Sequence, residues 1–146
     1  MEMSVQKERI LIQLFERESK TQQLVAMVDV CFDSLNEPEF LLWRSGKRDL
    51  LISDVADSHW IKTCTGGYIT EVVFHADGTL DEYRLFDRFK TEGKWCLENG
   101  ILDIEILKGD NRYCFSVVGN ADINIHSAVE HKNHELHSYL KLSQIK

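Results

Sequence analysis

The sequence predicts an α+β fold in which strands dominate. A mainly helical segment over residues 1–55 packs on an antiparallel meander of about seven or eight strands over residues 59–142. Three observations predict it. Between Thr91 and Ile125, turn signals and alternating apolar residues solve one common register. At His59 the apolar spacing changes from a helical repeat to a period of two. One proline and eight glycines in 146 residues leave no disordered or low-complexity tract. That length suits one full core, so residues 1–146 are expected to form a single domain.

Val5 to Ser19 sets Ile10, Leu11, Leu14 and Phe15 at helical spacing, with charged residues between them. Gln22 to Leu35 carries Leu24, Val28, Cys31 and Leu35 on one helical stripe, although Val25, Val28 and Val30 also suit a strand. Its length favours a helix. Asn36-Glu37-Pro38-Glu39 reads as a helix start, with Asn36 as the cap, Glu39 reaching back and Pro38 in the first turn. The short helix that follows carries Phe40, Leu41 and Trp43 and stops by Ser45-Gly46.

Trp60 to Cys64 is the first strand, ended by Gly66-Gly67. Tyr68–His75 and Thr79–Phe86 form a hairpin about Asp77-Gly78, which sets Glu71 opposite Arg84 and Val72 opposite Tyr83. On this register Tyr83 and Leu85 face the core, and Glu71, Glu82 and Arg84 form a solvated charged set. Asn99-Gly100 is the strongest short hairpin signal. It places Leu97 opposite Leu102 and Trp95 opposite Ile104, with Lys94 facing Glu105 on the other side. A turn at Gly109-Asp110 brings Ile106 to Tyr113, Ile104 to Phe115 and Leu102 to Val117. A three-residue loop, Gly119-Asn120-Ala121, then pairs Val117 with Ile123 and Phe115 with Ile125. In the last strand, Glu135 to Leu142, the residues Leu136, Leu140 and Leu142 point one way and His137, Tyr139 and Lys141 the other.

Composition narrows the function classes. The 24 acidic and 17 basic residues give a formal net charge of -7, which disfavours nucleic acid as a partner. The Arg44, Lys47, Arg48 cluster reads as a solvated turn. No secretory apolar region follows the polar N-terminus, and no apolar run reaches the roughly 20 residues of a membrane helix. A cytoplasmic location with no membrane partner is therefore expected. Cys31, Cys64, Cys96 and Cys114 are scattered without a Cys-x-x-Cys pair and read as free thiols. A disulfide framework is the alternative if a leader has been removed.

The stretches Phe74-His75-Ala76-Asp77-Gly78-Thr79, Gly93-Lys94-Trp95 and Asn99-Gly100-Ile101-Leu102 resemble the hairpin cadence of lipocalin-like (calycin) bacterial β-barrels. The resemblance covers residues 59–142 and implies a meander closed on itself around a cavity for a small apolar ligand. The chain departs from the family in its long N-terminal helical segment. It also carries His59-Trp60-Ile61 where the family's first strand has Gly-x-Trp. The alternative fold is a curved sheet wrapped on helices, as in nuclear-transport-factor-like α+β cones.

Three function classes stay open. The leading one is non-enzymatic binding of a small apolar or amphipathic ligand by Tyr83, Trp95, Ile104, Tyr113 and Phe115 on the apolar face. The second is a protein-interaction module, as a homodimer. The third is an enzyme or metal site. The register sets Glu105, Cys114 and His126 in one row, with Cys96, Asp103, Ser116 and Asn124 in the next. These rows lie on the polar face with no oxyanion element beside them, so no catalytic residue is assigned. His126, His131, His134 and His137 are the weaker metal candidates: the spacing of the last three is not that of a metal-binding helix and an exposed turn accounts for them, and His126 joins only if the chain folds back. No metal or other cofactor is predicted, and no phosphate loop, nucleophile elbow or kinase signature occurs.

Overall fold

The computed structural model describes residues 2–20 and 23–145. Helix α1 (Glu2–Phe15) runs into a π turn at Glu16–Lys20, and two 3₁₀ turns follow at Met27–Asp29 and Phe32–Asn36. Next come α2 (Pro38–Ser45), the two-residue strand β1 (Lys47–Arg48) and α3 (Ile52–Val55). Eight longer strands complete the chain: β2 (Ser58–Cys64), β3 (Ile69–Phe74), β4 (Thr79–Arg84), β5 (Lys90–Glu98), β6 (Ile101–Lys108), β7 (Asn111–Asn120), β8 (Ile125–Lys132) and β9 (Glu135–Gln144).

Each of β2 to β9 pairs antiparallel with the next, and β9 returns to β2, from Trp60 opposite Gln144 to Cys64 opposite Leu140. The sheet is thus a closed eight-stranded barrel, which supersedes the open cone. Strand β1 adds a flap on β7 through Lys47–Asn120 and Arg48–Gly119 pairs.

Two apolar cores flank the barrel wall. Trp60, Val72, Phe74, Leu80, Trp95, Leu102, Ile104, Ile106, Phe115 and Val117 fill the inside, together with Leu140 and Leu142. Outside, Ile10, Leu11, Leu14 and Phe15 of α1 pack with Phe40 of α2 against Ile101, Val118 and Val129. The helical segment therefore covers the barrel from outside and leaves the interior to the strands.

The β5–β6–β7 register is the predicted one, with Trp95–Ile104, Lys94–Glu105, Ile104–Phe115 and Leu102–Val117 all paired. Five expectations are corrected. The Gln22–Leu35 helix does not form in the described part; Gln22 itself lies outside the described residues. Ala26 and Val30 are extended, and the buried Gln13 amide of α1 donates to the Val25 carbonyl at 2.8 Å, holding that β-branched stretch open. The cap of α2 is Glu37 rather than Asn36, with Pro38 in the first turn as expected.

The β3–β4 hairpin is shifted by one residue. His75 N–H donates to Thr79 O at 2.9 Å, so three residues rather than two form the loop, with Gly78 at φ 92°. Glu71 therefore meets Tyr83, and Val72 meets Glu82. The β7–β8 loop is also longer than expected. Pairing with β1 extends β7 to Asn120, and four residues follow before β8, so Val117 meets Ala128 and Phe115 meets Glu130. Lastly, a register shift beside Glu130 turns Leu136 outward, where it packs with the helical core rather than with Leu140 and Leu142.

Gly93 lies opposite Ile106 where β5 and β6 approach closely, and a Cβ there would collide with the Glu105 carbonyl. Gly93→Ala should cost about 1–3 kcal/mol, read as a lowered urea midpoint. An unchanged midpoint would contradict the close pairing.

Candidate functional site

The two ends of the barrel differ in how they are filled. One end is sealed. His126, fully buried, accepts a hydrogen bond at Nδ1 from Asn120 N–H at 2.9 Å, and its Nε2 lies 2.6 Å from Gln144 Oε1. This pattern fixes the neutral imidazole with its proton on Nε2, and burial holds its pKa below the usual histidine value. Gln144 donates on to Asp54 O of α3, while Arg48 grips the Asp54 carboxylate at 2.9 and 3.2 Å. Above this seal Trp60, Phe74, Trp95, Ile104 and Phe115 pack with 8% exposure or less.

The other end is open. Strands β2, β4, β6 and β8 run towards it, and a cavity of about 570 Å³ lies there. Its walls include Ile69, Leu85, Phe86, Tyr113 and Leu140, and its floor carries Lys62, Thr70 and Glu130. Phe86 at 94% and Tyr68 at 74% exposure stand at the rim as unusually open aromatics.

The floor is a layer of buried charge. Lys62 Nζ lies 2.6 Å from Glu82 Oε2 and 3.8 Å from Glu130 Oε2, over the Phe115 ring at 5.2 Å. Glu82, 1% exposed, also binds Lys108 Nζ at 3.2 Å and accepts from the hydroxyls of Thr70 at 2.7 Å and Thr91 at 3.3 Å. Burial alone would raise the Glu82 carboxyl; Lys62 and Lys108, with the hydrogen bonds of Lys62 and Thr70, bring it down to about 2. Glu130 accepts from Ser138 Oγ at 3.0 Å.

The five predicted ligand residues separate. Trp95, Ile104 and Phe115 face the barrel interior but belong to its packed core, with Trp95 Nε1–H donating to His75 O at 2.9 Å. Tyr113 stands at the mouth. Tyr83 faces outward, under the Arg88 guanidinium at 4.7 Å, because the one-residue shift of β4 exchanged it with Glu82. The expected Glu71–Arg84 pair is likewise absent: Arg84 sits opposite Thr70, and Glu71 binds Arg88 and His59 at 2.9 and 3.0 Å.

The four candidate histidines lie in different places. His126 seals one end, His131 and His134 line a groove of about 430 Å³ under α1, and His137 sits at the mouth beside Tyr113. Among the described residues, the trio with ligand atoms within 4.8 Å of one another is Cys96, Glu98 and Asp103, which includes no histidine. The Glu-Cys-His row forms with His131 in place of His126, since Cys114 pairs with Glu105 and His131. In the next row Val129, rather than Asn124, stands opposite Ser116. Glu105 is bound by Arg112, and burial pushes the Cys114 thiol up. Asp103 accepts from Ser116. All four cysteines are free thiols. No helix among the described residues is long and apolar enough to cross a membrane.

Lys62, Glu82 and Glu130 are what the sequence reading missed. Their signal is a charged residue in phase with the inward apolar ones, Glu82 with Leu80 and Glu130 with Ala128, and of opposite sign on nearby strands.

Since the folded-state pKa of Glu82 lies below its ordinary 4.5, its stabilisation is present above about pH 4.5 and is lost as pH falls towards 2. Glu82→Gln should cost about 3–5 kcal/mol at pH 7 by leaving Lys62 underpaired, and should flatten the acid limb of a stability–pH curve measured by urea unfolding. A variant as stable as the parent at pH 7 would contradict this. Comparison with protein-family models, curated proteins and solved structures found no match to this chain.

Proposed function

We propose that this barrel binds a small apolar or amphipathic molecule at its open end, without catalysis. The observation that carries the reading is the cavity of about 570 Å³, walled by apolar side chains over a polar floor. That volume and mixture suit a small-molecule site. The lower half of the interior is filled by Trp60, Phe74 and Trp95, so the ligand is short enough for the upper half alone. The lipocalin-like cadence of residues 59–142 supports the same reading. Raised protonation of the Cys114 thiol and the commitment of Glu105 to Arg112 argue against a thiol nucleophile in the outer row.

Titration with the uncharged fluorophore N-phenyl-1-naphthylamine tests this. Saturable enhancement is expected, with affinity reduced about tenfold in Tyr113→Ala. Val28→Ser, altering a residue 88% exposed at the outer groove, should leave affinity unchanged. Equal affinity in parent and Tyr113→Ala, or loss on Val28→Ser, would refute the mouth as the site.

A further inference from the structure

Hydrogen-bonding capacity on the cavity floor is unevenly taken up. Glu82 is saturated by two lysines and two threonines. Lys62 and Glu130 are not. The Lys62 ammonium offers three N–H groups and has one close acceptor, Glu82 at 2.6 Å. The next, Glu130 Oε2, stands 3.8 Å away, beyond hydrogen-bond length. Glu130 receives Ser138, with His137 Nε2 only within 3.9 Å. Both side chains are at least nine-tenths buried, at 10% and 6% exposure, and both line the cavity. Spare donors and lone pairs at such depth are costly until a partner meets them.

Charge decides what kind of partner fits. Lys62 and Lys108 balance Glu82 and Glu130, and at the rim Arg84 and Asp87 pair with each other at 2.8 Å. Lys132 is not among the lining residues and lies over the Tyr113 ring at 5.7 Å. A carboxylate or ammonium carried to the floor would meet lysine and glutamate charges that already offset one another, with His137 3.9 Å from Glu130, and would lose its hydration. A neutral group that accepts from Lys62 and donates to Glu130 meets both needs without adding charge.

Building on the reading of the mouth as a ligand site, we propose that the ligand's head group is uncharged and both donates and accepts hydrogen bonds. A hydroxyl or primary amide on a short apolar tail has this chemistry. The head lodges between Lys62 and Glu130, and the tail lies against Leu85, Tyr113 and Leu140.

Calorimetric titration of the full chain at pH 7 with 1-octanol, octanamide, octanoate and octylammonium tests this. The alcohol and the amide should bind at least tenfold more tightly than either ion. In Glu130→Gln, where the floor loses one negative charge, octanoate should gain at least tenfold relative to the alcohol. The series on the parent protein is decisive even where that variant fails to fold. Octanoate or octylammonium binding the parent as tightly as the alcohol would overturn the head-group assignment and leave the mouth as an apolar site. If the naphthylamine binds while none of the four does, the head-group assignment falls alone. If neither the naphthylamine nor any of the four binds, both readings fall.

Discussion

Pairing of β9 with β2 is the constraint on which the rest depends. Once the sheet closes, none of β2 to β9 has a free edge, and none can slip by one residue without breaking both of its neighbours. Inward and outward positions are then fixed for all eight strands together. An eight-stranded barrel has an interior that side chains just fill or that holds one small ligand. Here it does both, at different heights: rings from Trp60, Phe74, Trp95 and Phe115 fill one half, and the other half stays open.

Between the two halves lies the charge layer, and closure explains how it is tolerated. Glu82 on β4 is reached from Lys62 on β2, Thr70 on β3, Thr91 on β5 and Lys108 on β6. Four strands thus converge on one carboxylate carried by a fifth. A buried ion pair recovers its desolvation cost only when geometry is good and the remaining lone pairs are satisfied, and Glu82 meets that condition. Replacing the set by apolar residues of equal volume would extend the apolar core upward and leave the cavity with an apolar floor. The charge layer is therefore better understood as what keeps the upper interior polar than as a net source of stability.

How much of this was legible follows from which signals were local. The Asn99-Gly100 and Gly109-Asp110 turns fix the β5–β7 register because two-residue loops leave no choice of length. The two neighbouring hairpins were mis-set for reasons outside themselves. Residues Asp77-Gly78 invite a two-residue turn, yet the Asp77 carboxylate caps Thr79 N–H at 3.0 Å and draws Ala76 into the loop. In β4, Tyr83 and Leu85 outweighed Leu80 as evidence of the inward face, and the partner that makes Glu82 an inward residue, Lys62, lies 20 residues away. At the β7–β8 loop the deciding contact is β1, a two-residue strand with no pattern of its own to read. The shift in β8 removed His126 from the Cys114 row and set His131 in its place, so the row survived while its histidine changed.

The outer wall carries its own logic, which bears on where a ligand is held. Glu18, in the π turn that follows α1, accepts from Trp43 Nε1–H at 2.9 Å and from the Tyr139 hydroxyl, and pairs with Lys47 at 3.2 Å. Burial would raise this carboxyl, but the Tyr139 bond, with the Lys47 charge and the Trp43 bond, holds it below its usual value. One carboxylate thereby ties the π turn after α1 to α2, β1 and β9 around the apolar contacts of Phe15 and Phe40. The polar residues of that face, Asp103 and Ser116 among them, are engaged with one another beneath the helix. At the mouth no helix among the described residues lines the cavity, and Phe86 and Tyr68 remain open beside a floor whose hydrogen bonds are incomplete. Helices that cover the wall from outside leave the interior free, and that division of labour is what makes room for a ligand in a chain of this size.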